Sequence, residues 1–202
     1  MKQDAHKASD EGANIPRIAL IGYGYWGTNI ARNLHDLGAL AAIVDSQSEH
    51  RKAARTLYPD ARLCENIEEI LGDSHIDGVA IATPATTHAR ITQQSLEAGK
   101  DVFVEKPLAL TLEDGEQLVA EARDRGAILM VGHLLEYHPA VEEIETRVLA
   151  GELGALQYIY SNRLNWGRLR REESILWSFA PHDIAVILRL VGTTPTRVLA
   201  TG

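Results

Sequence analysis

Cysteine is nearly absent from this 202-residue chain, in which Cys64 is the single thiol. One cysteine cannot close an internal disulfide, and no cysteine or histidine pair has the spacing of a zinc site. We therefore expect a reducing compartment, Cys64 as a small, partly buried hydrophobic residue, and no metal. His133, His138 and His182 do not change this expectation, because no set of carboxylates accompanies them.

Long apolar runs are also lacking. No stretch approaches the ~20 residues that span a bilayer, and the polar first residues, MKQDAHKASDEGAN, contain no apolar signal-peptide core. The sequence therefore predicts a cytoplasmic protein without a membrane partner.

Positive charge is scarce, with 20 Lys and Arg against 28 Asp and Glu and a net charge of −8. Nucleic acids and anionic membranes are bound by clustered lysine and arginine, so this balance disfavours both. The one dense basic cluster, residues 168–171, is followed by Glu172 and Glu173. It is typical of a solvated turn, with local anion binding as the alternative.

The sequence does contain the alternation of segments that is typical of an α/β fold. From Pro16 onward, short apolar runs alternate with amphipathic stretches, which predicts βαβ units and a parallel sheet. The predicted fold is α/β, a Rossmann-type doubly wound parallel sheet followed by the start of an α+β second domain. The expected strands are 17–22, 40–45, 61–64, 78–83, 101–105 and 127–132, and the expected helices are 26–37, 48–57, 67–71, 87–98 and 112–125. Gly38, Gly99 and Gly126 follow three of these helices, where a left-handed residue is needed.

Three regions are expected along the chain. Residues 1–14 have no apolar periodicity and are predicted to be a flexible tail. Residues 15–132 are predicted to form one α/β domain, and residues 133–202 to begin a second, α+β domain. In the last region we expect a helix at 138–154, a strand at 155–166, a helix at 180–192 and a starting strand at 196–202. Its roughly 70 residues are fewer than a self-sufficient domain usually has, so we expect it to be incomplete.

A dinucleotide motif follows the first predicted strand. The residues are Gly22-Tyr23-Gly24-Tyr25-Trp26-Gly27, a G-x-G-x-x-G that opens a helix. The first glycine makes the tight turn, the second lets the backbone approach a pyrophosphate, and the third lets the helix pack on the strand. The helix N-terminus supplies free N–H groups to the phosphates.

Asp45 ends the next strand, 23 positions after Gly22. An acidic side chain there accepts hydrogen bonds from both ribose hydroxyls and repels a 2′-phosphate, so the sequence predicts NAD rather than NADP. This selectivity would weaken if Arg51 or Lys52 reached the site.

Two further segments leave the carboxyl ends of strands, where open α/β sheets bind ligands. Thr83 and Pro84 form a turn after the strand at 78–83, with His88 a few residues on. Glu105 and Lys106 follow the strand at 101–105, and the next proline restricts Lys106 to extended conformations. We expect Thr83, Pro84, His88, Glu105 and Lys106 to contact the cofactor together with the residues of the glycine turn, Tyr25 and Trp26 included.

These motifs together resemble the Gfo/Idh/MocA family of nicotinamide-dependent sugar oxidoreductases, over essentially all of residues 16–202. The motifs occur in the family's order: the glycine turn, the Thr83-Pro84 turn, Glu105-Lys106-Pro107 and Ala180-Pro181-His182-Asp183. The resemblance implies that Lys106 orients a sugar and that His182 takes its hydroxyl proton. Histidine suits a base near neutral pH, and a lysine cation would stabilise developing alkoxide charge.

His182 has a plainer alternative, a capping or core histidine, and Asp183 either orients His182 or caps the helix. Many family members have an aspartate one turn before the histidine, where this chain has Ser178. Serine can hydrogen-bond but supplies no charge, so proton transfer is expected to be tuned differently or to depend on Asp183.

A narrower similarity concerns the branch that oxidises UDP-linked N-acetylated hexuronic acids at C3. It implies a nucleotide-sugar substrate, arginines that meet its carboxylate or diphosphate, and a homo-oligomer. The candidate arginines are Arg163, Arg168, Arg170 and Arg171. The other candidate substrate residues are His133, Tyr137, Asn162, Asn165, Trp166 and Asp183. Packing or a solvated loop is the alternative for each, and a non-catalytic NAD-binding module or sensor is the alternative for the whole protein.

Overall fold

The computed structural model describes residues 15–162 and 175–201. The predicted tail at 1–14 and the last four residues of the strand predicted at 155–166 lie outside this part of the chain. The side chain of Ile175 also lies outside it.

One six-stranded parallel sheet organises the first part of the chain. Its order is β3-β2-β1-β4-β5-β6, which confirms the doubly wound fold. The chain passes from the edge strand β3 back across the sheet to β4. Strand β4 lies beside β1, where Ile18 pairs with Gly78 and Ile21 pairs with Ile81. The strands are β1 (Ile18–Ile21), β2 (Leu40–Val44), β3 (Arg62–Cys64), β4 (Gly78–Ile81), β5 (Asp101–Val104) and β6 (Leu129–Val131).

Helices cover both faces of the sheet, and each helix predicted in the nucleotide-binding domain is present. Alternate residues of β1 face opposite ways: Ala19 and Ile21 lie in one buried cluster and Leu20 in the other. Burial on both faces explains why these strands are continuous apolar runs. The helices are α1 (Gly27–Asp36), α2 (Ser48–Leu57), α3 (Glu68–Leu71), α4 (His88–Glu97), α5 (Leu112–Arg125), α6 (Pro139–Leu149) and α7 (Ile175–Val191).

The helix ends follow the expected glycines. Gly38, Gly99 and Gly126 have φ values of 72°, 72° and 65°, in the left-handed region that glycine adopts at little cost. Thr111 caps the start of α5 by accepting a hydrogen bond from the backbone N–H of Asp114 at 3.1 Å.

The region after β6 differs from its prediction. The helix expected at 138–154 ends at Leu149, and the helix expected at 180–192 begins as early as Ile175, with Pro181 inside it. Residues 155–162 and 196–201 form no strand, so both strand predictions are wrong over these residues. The reason is pairing: a strand needs a neighbour for its N–H and C=O groups, and these largely exposed segments have none within the described ranges.

Helices α6 and α7 are joined by a charged contact instead of a sheet. The guanidinium of Arg189 on α7 donates to Glu145 Oε2 on α6 at 2.6 and 2.8 Å. It also donates to the carbonyl of Glu136, in the 3₁₀ turn that precedes α6. Helices α6 and α7 are therefore fixed to each other and to the turn that follows β6.

Lys100 ties the loops at the amino-terminal edge of the sheet, and its substitution tests this part of the fold. Its buried ammonium donates to the carbonyls of Asp73 and Ile76 at 2.6 and 2.8 Å. Lys100→Met removes the donor of the buried Ile76 carbonyl and one of two donors of the Asp73 carbonyl, which also accepts from the backbone N–H of Ile76. We therefore expect a loss of roughly 1–3 kcal/mol in the free energy of unfolding. Chemical denaturation measures this loss. The control Lys52→Met, at an exposed position, should change stability by less than about 0.5 kcal/mol; equal effects would contradict the interpretation.

Candidate cofactor and active site

The glycine turn has the shape of a pyrophosphate cradle. Gly22 has φ +94°, and a Cβ there would lie 2.8 Å from the carbonyl oxygen of Ala82. A Cβ at Gly27 would lie 2.0 Å from the carbonyl oxygen of Gly22. A Cβ at Gly24 would meet nothing within 4 Å. Two glycines are thus required by packing, whereas Gly24 keeps the surface of the turn open beside the N-terminus of α1.

Asp45 is held at the end of β2, facing the glycine turn. Its Oδ2 accepts from the backbone N–H of Tyr23 at 2.7 Å and lies 3.0 Å from Nδ1 of His50. Its Oδ1 accepts from the backbone N–H of Gln47 at 2.8 Å. These contacts fix the carboxylate beside the position where a ribose meets the turn. The sequence analysis missed His50, although its place in the first turn of α2 was the available signal.

Arg51 is directed away from the role of a 2′-phosphate ligand. Its guanidinium donates to the backbone carbonyl of Asp45 at 2.6 Å and to Glu65 Oε2 at 2.8 Å. Because Glu65 neutralises it, Arg51 does not reverse the negative charge of Asp45.

Trp26 joins the glycine turn to the loop after β5. Its indole N–H donates to Glu105 Oε1 at 2.5 Å, a contact that the sequence did not predict. Burial raises the pKa of Glu105, opposed by this bond and by the positive charges of Lys106 and His88. The carboxyl group thus lies where the loops after β1, β4 and β5 meet.

The turn after β4 places Thr83 and Pro84 at the carboxyl edge of the sheet, but His88 lies beneath them. The hydroxyl of Thr87 donates to Thr83 Oγ1 at 2.7 Å. His88 is only 2% exposed, and its ring nitrogens lie 2.7 and 2.9 Å from the carbonyl oxygens of Pro107 and Thr83. The prediction that His88 contacts the cofactor is corrected, because both nitrogens face main-chain acceptors and the ring is enclosed.

Lys106 reaches the helix that carries His182. Its Nζ donates to the backbone carbonyl of Ser178 at 2.8 Å. Ser178 and His182 are four residues apart on α7 and lie on the same face of it. The two predicted catalytic residues are therefore brought to one region although 75 residues separate them.

His182 and Asp183 lie well inside α7, not at its start. The helix is present from Ile175 onward, so neither His182 nor Asp183 caps its start, and the capping alternative is wrong for both. Asp183 Oδ1 accepts from the hydroxyl of Ser161 at 3.0 Å, which connects α7 to the segment after α6.

His133 follows β6 near Lys106. Burial lowers the pKa of His133, Glu136 raises it, and the charge of Lys106 lowers it further. Within the part of the chain described, the buried His133 Nδ1 and Ser178 Oγ have no hydrogen-bond partner. An unpartnered buried polar atom can be satisfied by an ordered water or by a ligand, and these two atoms lie on the segments next to Lys106 and His182.

The remaining predicted substrate residues are dispersed or not described. Tyr137 and Asn162 are exposed. Arg163, Asn165, Trp166, Arg168, Arg170 and Arg171 lie outside the described residues.

Residues 15–162 and 175–201 contain neither a metal-binding cluster nor a membrane-spanning helix. No group of three or more His, Cys, Asp or Glu side chains there is arranged to hold a metal ion. No helix in the same ranges is long and apolar enough to cross a bilayer.

The sheet order, the glycine turn and Asp45 define a dinucleotide-binding Rossmann protein. Residues 16–133 match the Gfo/Idh/MocA model, described as an oxidoreductase family with an NAD-binding Rossmann fold. The chain belongs to this family, and its cofactor is NAD.

Relatives of known name agree with this assignment. The chain is 29% identical to UDP-N-acetylglucosamine 3-dehydrogenase of Acidithiobacillus ferrooxidans, over 92% of this chain and 58% of that protein. It is 31% identical to scyllo-inositol 2-dehydrogenase (NAD(+)) of Bacillus subtilis, over 92% and 57%. GenD2 from gentamicin A biosynthesis, solved in complex with NAD, superposes with a TM-score of 0.78 at 25% identity, over 95% and 56%. The chain thus spans somewhat more than half the length of these relatives.

The glycine turn allows binding and folding to be separated. Gly24→Ala adds a methyl group to open space on the cofactor side, so we expect wild-type thermal stability and at least about tenfold weaker NADH binding, a loss of roughly 1.4 kcal/mol. Gly27→Ala forces a backbone clash, so it should lower the melting temperature as well. Calorimetry and NADH titration measure both quantities. A Gly24→Ala protein that binds NADH normally would show that the cofactor does not pass over Gly24.

The buried carboxyl of Glu105 predicts a pH dependence of stability. A raised folded-state pKa favours folding below the ordinary value of 4.5, and this stability is lost as the pH rises through the folded-state pKa. Glu105→Gln keeps an acceptor for Trp26 without the charge. Its melting temperature relative to wild type should therefore rise between about pH 4 and pH 7. The exposed control Glu116→Gln should show no such trend, and a flat difference for Glu105→Gln would refute the explanation.

Proposed function

We propose that this protein transfers hydride between a sugar carbon and NAD, the sugar being a UDP-linked N-acetylated hexuronic acid that reacts at C3. The observation that carries the proposal is the bond from Lys106 Nζ to the carbonyl of Ser178. This bond holds a cation beside the helix that carries His182, at the carboxyl edge of an NAD-binding sheet.

Each residue has one role in the proposed oxidation. NAD, when bound, supplies the hydride acceptor. Lys106 orients the hydroxyl and stabilises the negative charge that develops on its oxygen. His182 would accept the hydroxyl proton, so that loss of this proton and of the hydride taken up by NAD would convert the alcohol into a ketone. Gly22, Gly24, Gly27 and Asp45 hold the cofactor, and Trp26, Thr83, Pro84 and Glu105 line its path.

The substitution at position 178 alters the environment of the base. A carboxylate there would supply a negative charge one turn before His182, and Ser178 supplies none. Asp183 is the adjacent acidic residue, and Ser161 already donates to it. We therefore propose that His182 accepts the proton although no charged side chain stands at position 178 to assist it.

The substrate proposal is supported by the activities of named relatives and by two buried polar atoms that have no hydrogen-bond partner in the described residues. One relative acts on a UDP-linked N-acetylated sugar at C3, whereas another acts on scyllo-inositol at C2. His133 Nδ1 and Ser178 Oγ are two polar positions suited to hydroxyl groups of a sugar. Tyr137, Asn162, Arg163, Trp166 and Asp183 remain proposed contacts, and a homo-oligomer in the cytoplasm remains a prediction.

Paired substitutions test the chemistry separately from cofactor binding. In this protein, Lys106→Met and His182→Asn should each reduce turnover of the UDP-N-acetylhexuronate by about 10²–10⁴-fold. His182→Asn should leave NADH affinity near wild type. Absorbance of the NADH formed measures turnover, and fluorescence measures binding.

His75→Asn is the matched control, since His75 precedes β4 at the opposite edge of the sheet and should leave turnover unchanged. Normal NADH binding with no turnover of the UDP-sugar or scyllo-inositol by the wild type would favour the alternative, a non-catalytic NAD-binding module or sensor.

A further inference from the structure

His88 connects the two loops on the β4–β5 side of the cofactor site. It is the first residue of α4 and is 2% exposed. Nδ1 lies 2.7 Å from the carbonyl oxygen of Pro107, in the loop after β5. Nε2 lies 2.9 Å from the carbonyl oxygen of Thr83, in the turn after β4. One enclosed ring therefore spans two loops that are separated by more than 20 residues of chain.

The two partners of His88 are both acceptors. A ring N–H donates to a carbonyl oxygen, and each ring nitrogen of His88 lies within hydrogen-bond distance of one such oxygen. Because the ring is enclosed, it fills the space between the two loops and sets the distance between them.

We propose that the buried ring of His88 fastens the Thr83–Pro84 turn to the Lys106–Pro107 loop through its two nitrogens and positions the nicotinamide half of the cofactor site without touching NAD. His88 is then a positioning residue, and Lys106 depends on it through the main chain of its loop. The inference rests on the NAD site, and it holds whichever sugar is the substrate.

The topology gives this role a specific consequence. In this strand order the dinucleotide crosses the sheet at the β1–β4 switch point. The adenosine half belongs to the glycine turn and to Asp45 at the end of β2. The nicotinamide half belongs to the loops after β4 and β5, which His88 connects. Loss of His88 should therefore weaken ligands that contain nicotinamide and spare those that lack it.

Two ligands and two variants separate this role from a general effect on folding. His88→Asn keeps one donor near the Nδ1 position and cannot reach both carbonyls. We expect its affinity for NADH to fall at least about tenfold, with its affinity for ADP-ribose within about twofold of wild type. Thr92→Val is the matched control, because Thr92 is one turn along α4, fully buried, and its Oγ1 has no partner in the described residues. It should leave both affinities unchanged.

The outcomes are decisive in either direction. Equal weakening of NADH and ADP-ribose binding by His88→Asn, or no weakening of either, would overturn the positioning role. A second measurement does not require a folded variant: ¹⁵N-histidine NMR of the wild type. A slowly exchanging ring N–H is expected on the buried histidine, because it donates to a main-chain carbonyl in an enclosed site. Rapid exchange of every histidine ring N–H with solvent would overturn the bridge between the two loops.

Discussion

The tight packing between the glycine turn and the end of β4 is the constraint on which the site depends. A Cβ at Gly22 would clash with the carbonyl of Ala82, and a Cβ at Gly27 would clash with the carbonyl of Gly22. Helix α1 can begin beside β4 only because neither residue has a Cβ. This contact brings the N-terminus of α1, Asp45 and the turn after β4 to one edge of the sheet, and the cofactor path follows from it.

Charged and acidic side chains at this edge are held by hydrogen bonds to neutral groups. The carboxylate of Asp45 is fixed by two backbone N–H groups, Glu105 by the indole of Trp26, and Lys106 by a carbonyl of α7. Hydrogen bonds with one ionised partner are stronger than those between neutral groups. The site therefore has its donors and acceptors in place before a ligand arrives, which lowers the cost of binding.

The sequence predicted the nucleotide-binding domain well because its signals are local. Apolar runs, helix periodicity and the glycines at helix ends each depend on a few neighbouring residues, and they placed all six strands and the sheet fold. The bonds Trp26–Glu105 and His88–Pro107 were not predictable, since they join residues 79 and 19 positions apart through the tertiary fold. The strands expected at 155–166 and 196–202 failed where they are described for a related reason: alternation of apolar residues indicates a strand only when another strand is available to pair with it.

Lys106 meets α7 at a main-chain carbonyl. The carbonyl of Ser178, one turn before His182, accepts from Lys106 Nζ at 2.8 Å. Because this contact uses the main chain, it does not depend on the side chain at position 178. Serine in place of an acidic residue therefore removes a charge beside His182 while the link between the Lys106 loop and α7 is kept.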